Sequence, residues 1–161
     1  MVDFLTRFAE TQPDKVAVID DRPDGRVDVL SFAELEVRSN QLAHVLHEEG
    51  VRQNTRAVWC GKNSTGIVVA MNAMRKLSAT AVPLNYRLSD EEAAYVVDHC
   101  DAEVVYTDAE YVPLFERIAG LIPKVRKVLV FDGPVPDGMI DADARCASAP
   151  GTPPAVDPSQ G

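Results

Sequence analysis

Few side chains in this sequence are of a kind that does chemistry, and Arg87 is the one whose setting points toward a ligand. It lies in the run NYRLS, between the carboxyl end of a short apolar strand pattern, Ala79 to Leu84, and a helix opened by Ser89 and Glu92. Open α/β sheets place ligand contacts in such loops. The competing use of Arg87 is a solvated ion pair with Asp90 or Glu91. His44 and His47 are three residues apart and share a helix face, but no third ligand follows at metal spacing, so they read as surface histidines. His99, beside Cys100 and Asp101, sits at a helix carboxyl end where a cation suits the dipole. Cys60 and Cys100 fall on apolar faces and read as inert core thiols.

Three further features have chemical readings that their context weakens. The turn GKNSTG, Gly61 to Gly66, has the spaced glycines of a phosphate loop but lacks the Gly-Lys-Ser/Thr sequence that follows in one. It reads as a turn into a helix. Arg75 and Lys76 read as the basic end of that helix, opposing its dipole. Met71 and Met74 could line an acyl tunnel, but methionines at helical spacing are more often core filler.

The elements that would position these residues follow from periodicity. Val16 to Ile19 and Val27 to Phe32, separated by DDRPDG, predict a β-hairpin. Ser31 and Glu34 form a capping box, and Leu35, Leu42 and Leu46 recur at helical spacing behind it, with Glu34, Arg38, Gln41 and Glu48 on the wet face and Gly50 as the stop. Ala57 to Cys60 reads as a buried strand. The helix from Thr65 to about Leu77 is apolar nearly all round, so it must be covered on two sides. Ala79 to Leu84 predicts a strand ended by Pro83, and Ser89 with Glu92 a second capping box. Val104 to Thr107 and Lys127 to Phe131 are strand patterns separated by a helix near Val112 to Ala119. This alternation predicts an α/β fold, a mostly parallel sheet flanked by helices with an N-terminal β-hairpin.

The chain has 161 residues, 46% of them apolar, which suffices for one sizeable core. Residues 1–131 carry the α/β pattern. From Asp132 to Gly161 the chain holds six of the eleven prolines and four of the nine glycines, so 132–161 is predicted to be a linker. With 16 basic and 25 acidic residues the net charge is -9, which repels a phosphate backbone and excludes nucleic acid as a partner class. Cys60, Cys100 and Cys146 form no CxxC pair, which fits a reducing, cytoplasmic setting and not a zinc site. No stretch is apolar enough for an export signal or a membrane span.

Three segments match a known family in order and spacing: TQPDKVAVID, LSFAELEVRSNQLAHVLHEEGV and AMNAMRKLSATAVPLNYRLSDEEAAYVVDHCDAEVVYTD. They resemble the opening part of the adenylate-forming (AMP-binding) enzymes, the acyl-CoA synthetases in particular, over residues 4–108. Two turns depart from the family pattern: Asn54 and Thr55 stand where a Gly-Asp pair is frequent, and Ser78 where glycine is common. The resemblance implies that the full-length enzyme uses ATP, magnesium and CoA to activate a carboxylic acid, a fatty acid in the first instance, to an acyl adenylate and then an acyl-CoA. It also implies a contact between Arg87 and a CoA phosphate, beside the ion-pair reading above.

The family's Thr/Ser/Gly-rich phosphate loop, its Tyr-Gly-x-Thr-Glu segment, its ribose-binding aspartate and its carboxy-terminal lysine have no counterpart in these residues. The chain alone is therefore expected to bind no ATP and to have no catalytic residue, with the remainder of the enzyme as its partner. The apolar helix 65–77 leads to a further expectation, self-association into a homo-oligomer. Two alternatives stand beside this reading. One is part of a carrier-loading adenylation domain or aryl-acid-CoA ligase, and the other is a non-catalytic α/β interaction module.

Overall fold

The structure, a computed structural model, describes residues 3–155. Helix α1 (Phe4–Thr11) leads into strands β1 (Val16–Asp21) and β2 (Val27–Ser31), followed by α2 (Phe32–Glu48), β3 (Arg56–Cys60), α3 (Thr65–Lys76), β4 (Thr80–Leu84), α4 (Asp90–His99), β5 (Val104–Asp108), α5 (Val112–Ile118) and β6 (Lys127–Phe131). A short strand β7 (Ile140–Asp141) and helix α6 (Ala142–Ser148) follow. β1 and β2 pair antiparallel, and the other five form a parallel sheet in the order β4-β3-β5-β6-β7.

Side chains alternate across the sheet, and each set meets a different layer. Ala57, Val104, Tyr106, Leu129 and Phe131 join a core built with α1, α2, α3, the hairpin and α6. Val58, Cys60 and Val105 join a second core under α4 and α5. A parallel sheet covered on both faces needs apolar residues at consecutive positions, which is why its strands read as unbroken runs.

Both capping boxes form as their spacing requires. Glu34 N–H donates to Ser31 Oγ at 3.2 Å and Ser31 N–H to Glu34 at 2.8 Å; Glu92 N–H donates to Ser89 Oγ at 3.3 Å and Ser89 N–H to Glu92 at 2.9 Å. The two departures from the family pattern fall where the backbone is left-handed, with φ 65° at Asn54 and 54° at Ser78. A glycine would adopt either conformation without a Cβ penalty.

Four expectations need correction. β4 runs through Pro83 to Leu84; among the described residues it is an edge strand paired only with β3, where a missing N–H is tolerated. No element is predicted before Val16, yet α1 forms there, capped by Asp3, whose carboxylate accepts from Leu5 N–H at 3.0 Å. Two turns are too short to show a period. The second side of α3 is covered within the chain by α2, with Ile67, Ala70, Ala73 and Met74 all buried and Met71 left exposed. An uncovered α3 therefore supplies no reason for self-association.

The fourth correction concerns the linker. Composition predicts one over 132–161, but β7 extends the sheet beside β6, and α6 packs Ala142 into the core. Arg145 binds Glu48 at 2.6 Å and Glu49 at 3.0 Å. The chain beyond α6 then lies along α2, where Gln41, Asn40 and His44 contact the carbonyls of Ala149, Gly151 and Thr152 at 3.3, 2.8 and 2.9 Å. Gln41, expected on the wet face, is half-buried for this reason. The prolines and glycines around α6 dilute a helix whose apolar residues are only alanine and cysteine. The last part of the predicted linker, 156–161, lies outside the described residues.

Three polar residues of α2 are also buried: Glu36, Ser39 and Asn40. Glu36 faces the buried Lys76 of α3, whose ammonium donates to both Glu36 carboxylate oxygens at 2.8 Å, to Asp3 at 2.9 Å and to Thr6 Oγ1 at 3.3 Å. Arg75 adds a contact to Asp3 at 2.6 Å. Burial works against the Asp3 carboxylate, but the lysine and arginine outweigh it and hold its pKa below the usual value. This cluster joins α1, α2 and α3.

Candidate functional site

The parallel sheet reverses its strand order at β3: the chain passes from β3 to β4 on one side, then returns to place β5 on the other. Crevices at the carboxyl ends of strands around such a reversal are the usual ligand positions of open α/β folds. Three turns meet there, after β3, β4 and β5.

Arg87 lies in the turn after β4. Asn85 Oδ1 accepts from Arg87 N–H at 3.0 Å, which shapes the turn, and the guanidinium carbon sits 5.2 Å from the centroid of the Tyr86 ring. Tyr86 in turn packs against Tyr111, with ring centroids 5.1 Å apart. The ion-pair reading of Arg87 is not what forms. Asp90 is taken by Arg117 through contacts of 2.7 and 2.9 Å, and among the described residues Arg87 has no carboxylate partner, Glu91 included. The result is an exposed cation resting on an aromatic face.

The turn after β3 is GKNSTG, and its hydroxyls and its first helical N–H have partners within the fold. Ser64 caps α3 by accepting from Ile67 N–H at 3.3 Å, while Thr65 N–H donates to the buried Asp20 at 3.1 Å and Thr65 Oγ1 to Asp28 at 2.8 Å. A carboxylate from the hairpin thus takes the first N–H of α3, and the turn lacks the Gly-Lys-Ser/Thr sequence with which a phosphate loop holds a triphosphate. Gly66 is required for packing: a Cβ there would lie 2.5 Å from the Phe131 ring, which is itself buried against Tyr106. Lys62 pairs with Glu110 at 2.8 Å and tethers this turn to the one after β5.

The remaining sequence candidates have structural partners or unsuitable surroundings. His44 contacts the Thr152 carbonyl, and His99 stacks on Tyr95 with ring centroids 5.1 Å apart. His47 is shifted down in pKa by burial and by the Arg52 charge. Among the described residues no group of three His, Cys, Asp or Glu side chains is arranged to hold a metal ion. Burial pushes the Cys60 and Cys146 thiols up to about 12 and raises Cys100, so all three are poor nucleophiles at neutral pH.

Two features were not legible as functional or structural centres. Lys76 looks like a helix-end cation because its partners are distant in sequence. The other is a cleft of about 650 Å³ between the hairpin, α2, α3 and α6, whose floor is Tyr106 and Phe131 and whose rim carries Arg22, Arg26, Arg38 and Asp143. Neither tyrosine nor aspartate in a strand-and-linker reading gives a signal for it.

The sequence profile of the AMP-binding enzymes matches residues 5–160. A 3-oxocholest-4-en-26-oate–CoA ligase of Rhodococcus rhodochrous is 29% identical over 132 residues, covering 82% of this chain and 23% of that protein. The structure of the anthranilate CoA ligase AuaEII, in complex with anthranoyl-AMP, superposes with a TM-score of 0.81 at 26% identity, over 92% of this chain and 27% of the other. The inhibitor-bound N-terminal domain of FACL13 from Mycobacterium tuberculosis has the same fold, with a TM-score of 0.81 at 24% identity over 95% of this chain and 36% of that one. The chain spans about a quarter of the length of the curated relatives it matches. Its hairpin, its five-stranded parallel sheet and this profile lead to one conclusion: the chain belongs to the AMP-binding family of adenylate-forming enzymes, and it matches the N-terminal portion of that family's CoA ligases.

Proposed function

We propose that this chain serves as the N-terminal layer of an AMP-forming acyl-CoA synthetase that acts on a fatty acid, and that Arg87 contacts a phosphate of CoA. In that reaction a carboxylate displaces pyrophosphate from ATP to give an acyl adenylate. The CoA thiol then takes the acyl group and AMP leaves. The chain by itself carries out neither step, because its one turn with phosphate-loop spacing lacks the Gly-Lys-Ser/Thr sequence and gives the first N–H of α3 to Asp20. Its contribution is to wall the side of the enzyme on which CoA lies. The free cysteines fit the cytoplasmic setting that this function implies.

The single observation that supports the contact is the state of Arg87: exposed, held over Tyr86 and without a carboxylate partner among the described residues. An arginine kept so, at the carboxyl edge of the sheet, is arranged for an oxyanion from elsewhere. An NMR titration of the chain with CoA and with 3′-dephospho-CoA tests this. Shifts are expected at residues 85–89, weaker with Arg87→Ala by about fivefold or more, as for loss of a hydrogen bond to a charged group. Shifts elsewhere, or an Arg87→Ala variant that binds CoA as tightly, would overturn the assignment. In the same preparation, exchange of labelled pyrophosphate into ATP in the presence of fatty acids is expected to stay at the buffer level.

A further inference from the structure

Residues 149–155, which follow α6, meet α2 mainly through their backbone carbonyls. Gln41 Nε2 donates to Ala149 O at 3.3 Å, Asn40 Nδ2 to Gly151 O at 2.8 Å, and His44 Nε2 lies 2.9 Å from Thr152 O, where it must carry the proton to donate. Pro150, Pro153 and Pro154 bring no N–H, so the segment is rich in acceptors and α2 offers it donors. None of residues 149–155 is buried. α6 is attached differently, with Ala142 in the core and Arg145 on Glu48 and Glu49.

Asn40 makes this attachment a balanced one. It is 1% exposed, and its Nδ2 donates both to Gly151 O and to Glu36 Oε1, the latter at 3.2 Å. Its Oδ1 is buried with no partner among the described residues. The amide cannot turn over to relieve this, because its oxygen would then face two acceptors, the Gly151 carbonyl and the Glu36 carboxylate. Glu36 cannot yield either, since Lys76 holds both its oxygens at 2.8 Å and Thr6 Oγ1 donates to Oε1 at 2.9 Å. A buried acceptor left unmatched offsets the gain from a neighbouring hydrogen bond. The backbone also lies close to α2: a Cβ on Gly151 would come within 3.0 Å of Val37 Cγ1.

We propose that residues 149–155 form a strap with two states, docked on α2 or released, which hinges at Ala149 and opens while α6 and the sheet stay in place. Ala149 is where the backbone leaves the helix, with φ -82° and ψ 152°, after its N–H closes the last turn on Cys146 O. Release gives up three side-chain contacts and no buried residue, and it opens the Asn40 amide to water, where the nitrogen and the oxygen both find partners. An opening of this kind lies far below global unfolding in free energy. Glu36 and Lys76 act in it as positioning residues, because they lock the Asn40 amide as a donor to the strap.

Hydrogen exchange followed by NMR on the whole chain, at several urea concentrations below the unfolding transition, tests the proposal. The Asn40 side-chain amide is expected to be protected about a hundredfold less than the Val105 N–H of β5. Its exchange should not respond to urea, since opening the strap exposes little surface, whereas that of Val105 should. Gly151→Val places a side chain against Val37 and should lower the Asn40 protection by about tenfold or more, with the amides of residues 145–148 unchanged. Adding Val37→Ala removes the obstruction and should restore most of the protection. Asn40 exchange that follows urea in parallel with Val105, loss of α6 protection together with the strap, or unchanged Asn40 protection in Gly151→Val would each overturn it. Should Gly151→Val fail to fold, the urea dependence in the native chain decides.

Discussion

Lys76→Met is expected to destabilise the chain by about 3–5 kcal/mol, the cost of leaving buried charges without their counter-ion. The lysine side chain is 5% exposed and its ammonium is the common partner of Glu36 and Asp3, whose side chains are 11% and 23% exposed. Methionine fills most of the volume of the stem, so the loss is electrostatic and not one of packing. Glu36 suffers most, since both its oxygens face Lys76, while Asp3 keeps Arg75. Two controls separate this from general damage. Adding Glu36→Leu to Lys76→Met should recover much of the stability, because the uncompensated carboxylate is then gone. Arg75→Met should cost under about 1 kcal/mol, since that arginine is largely solvated. Urea midpoints of the four proteins give the comparison, and a Lys76→Met loss no larger than that of Arg75→Met would show that the cluster is not a buried one.

The second large effect is expected on the opposite face of the sheet, where Phe115→Ala should cost about 3–5 kcal/mol. Phe115 is 2% exposed and, among the described residues, is the only aromatic in the fully buried part of the core under α4 and α5. Its companions there are the short Cys60, Ala93, Ala94 and Ala102 together with aliphatic residues such as Val58, Val97 and Ile118. The cost of such a substitution rises with the cavity that these neighbours leave unfilled. Phe115→Leu keeps most of the volume and should cost less than half as much. For a chain of this size the alanine variant corresponds to a fall in Tm of roughly 6–20 °C. A calorimetric shift below about 3 °C would mean that α5 is not packed as described.

The parts of the fold that were legible in the sequence are those whose causes are local. Ser31 with Glu34 and Ser89 with Glu92 each contain their whole hydrogen-bonding scheme within four residues, and both form. The strands β3, β5 and β6 announce themselves as apolar runs because both faces of a parallel sheet are covered. Arg87 could be placed at the sheet's carboxyl edge from strand and cap alone, although not its perch on Tyr86 or the diversion of Asp90 to Arg117. Lys76 defeats such reading because Asp3 lies 73 residues away and Glu36 lies 40 away. α6 defeats it for a different reason: its stability comes from Ala142 in a core and Arg145 on α2, not from any period in ADARCAS. The cleft between the hairpin and α6 defeats it as well, because it is the sum of four distant segments, none of which announces it alone.

The passage of residues 149–152 along α2 also bears on how the chain comes together during synthesis. Asn40 and His44 receive Gly151 and Thr152 across 111 and 108 residues of sequence, so these contacts close loops spanning most of the described polypeptide. At ~5–20 residues per second, roughly 5–20 s separate the emergence of α2 from that of its last neighbours. Throughout that interval this capped helix keeps a polar seam open to water. α2 is thus among the first elements able to form on the ribosome and the last to be fully enclosed, so a pause in translation after β6 would hold the layer with its central helix half wrapped.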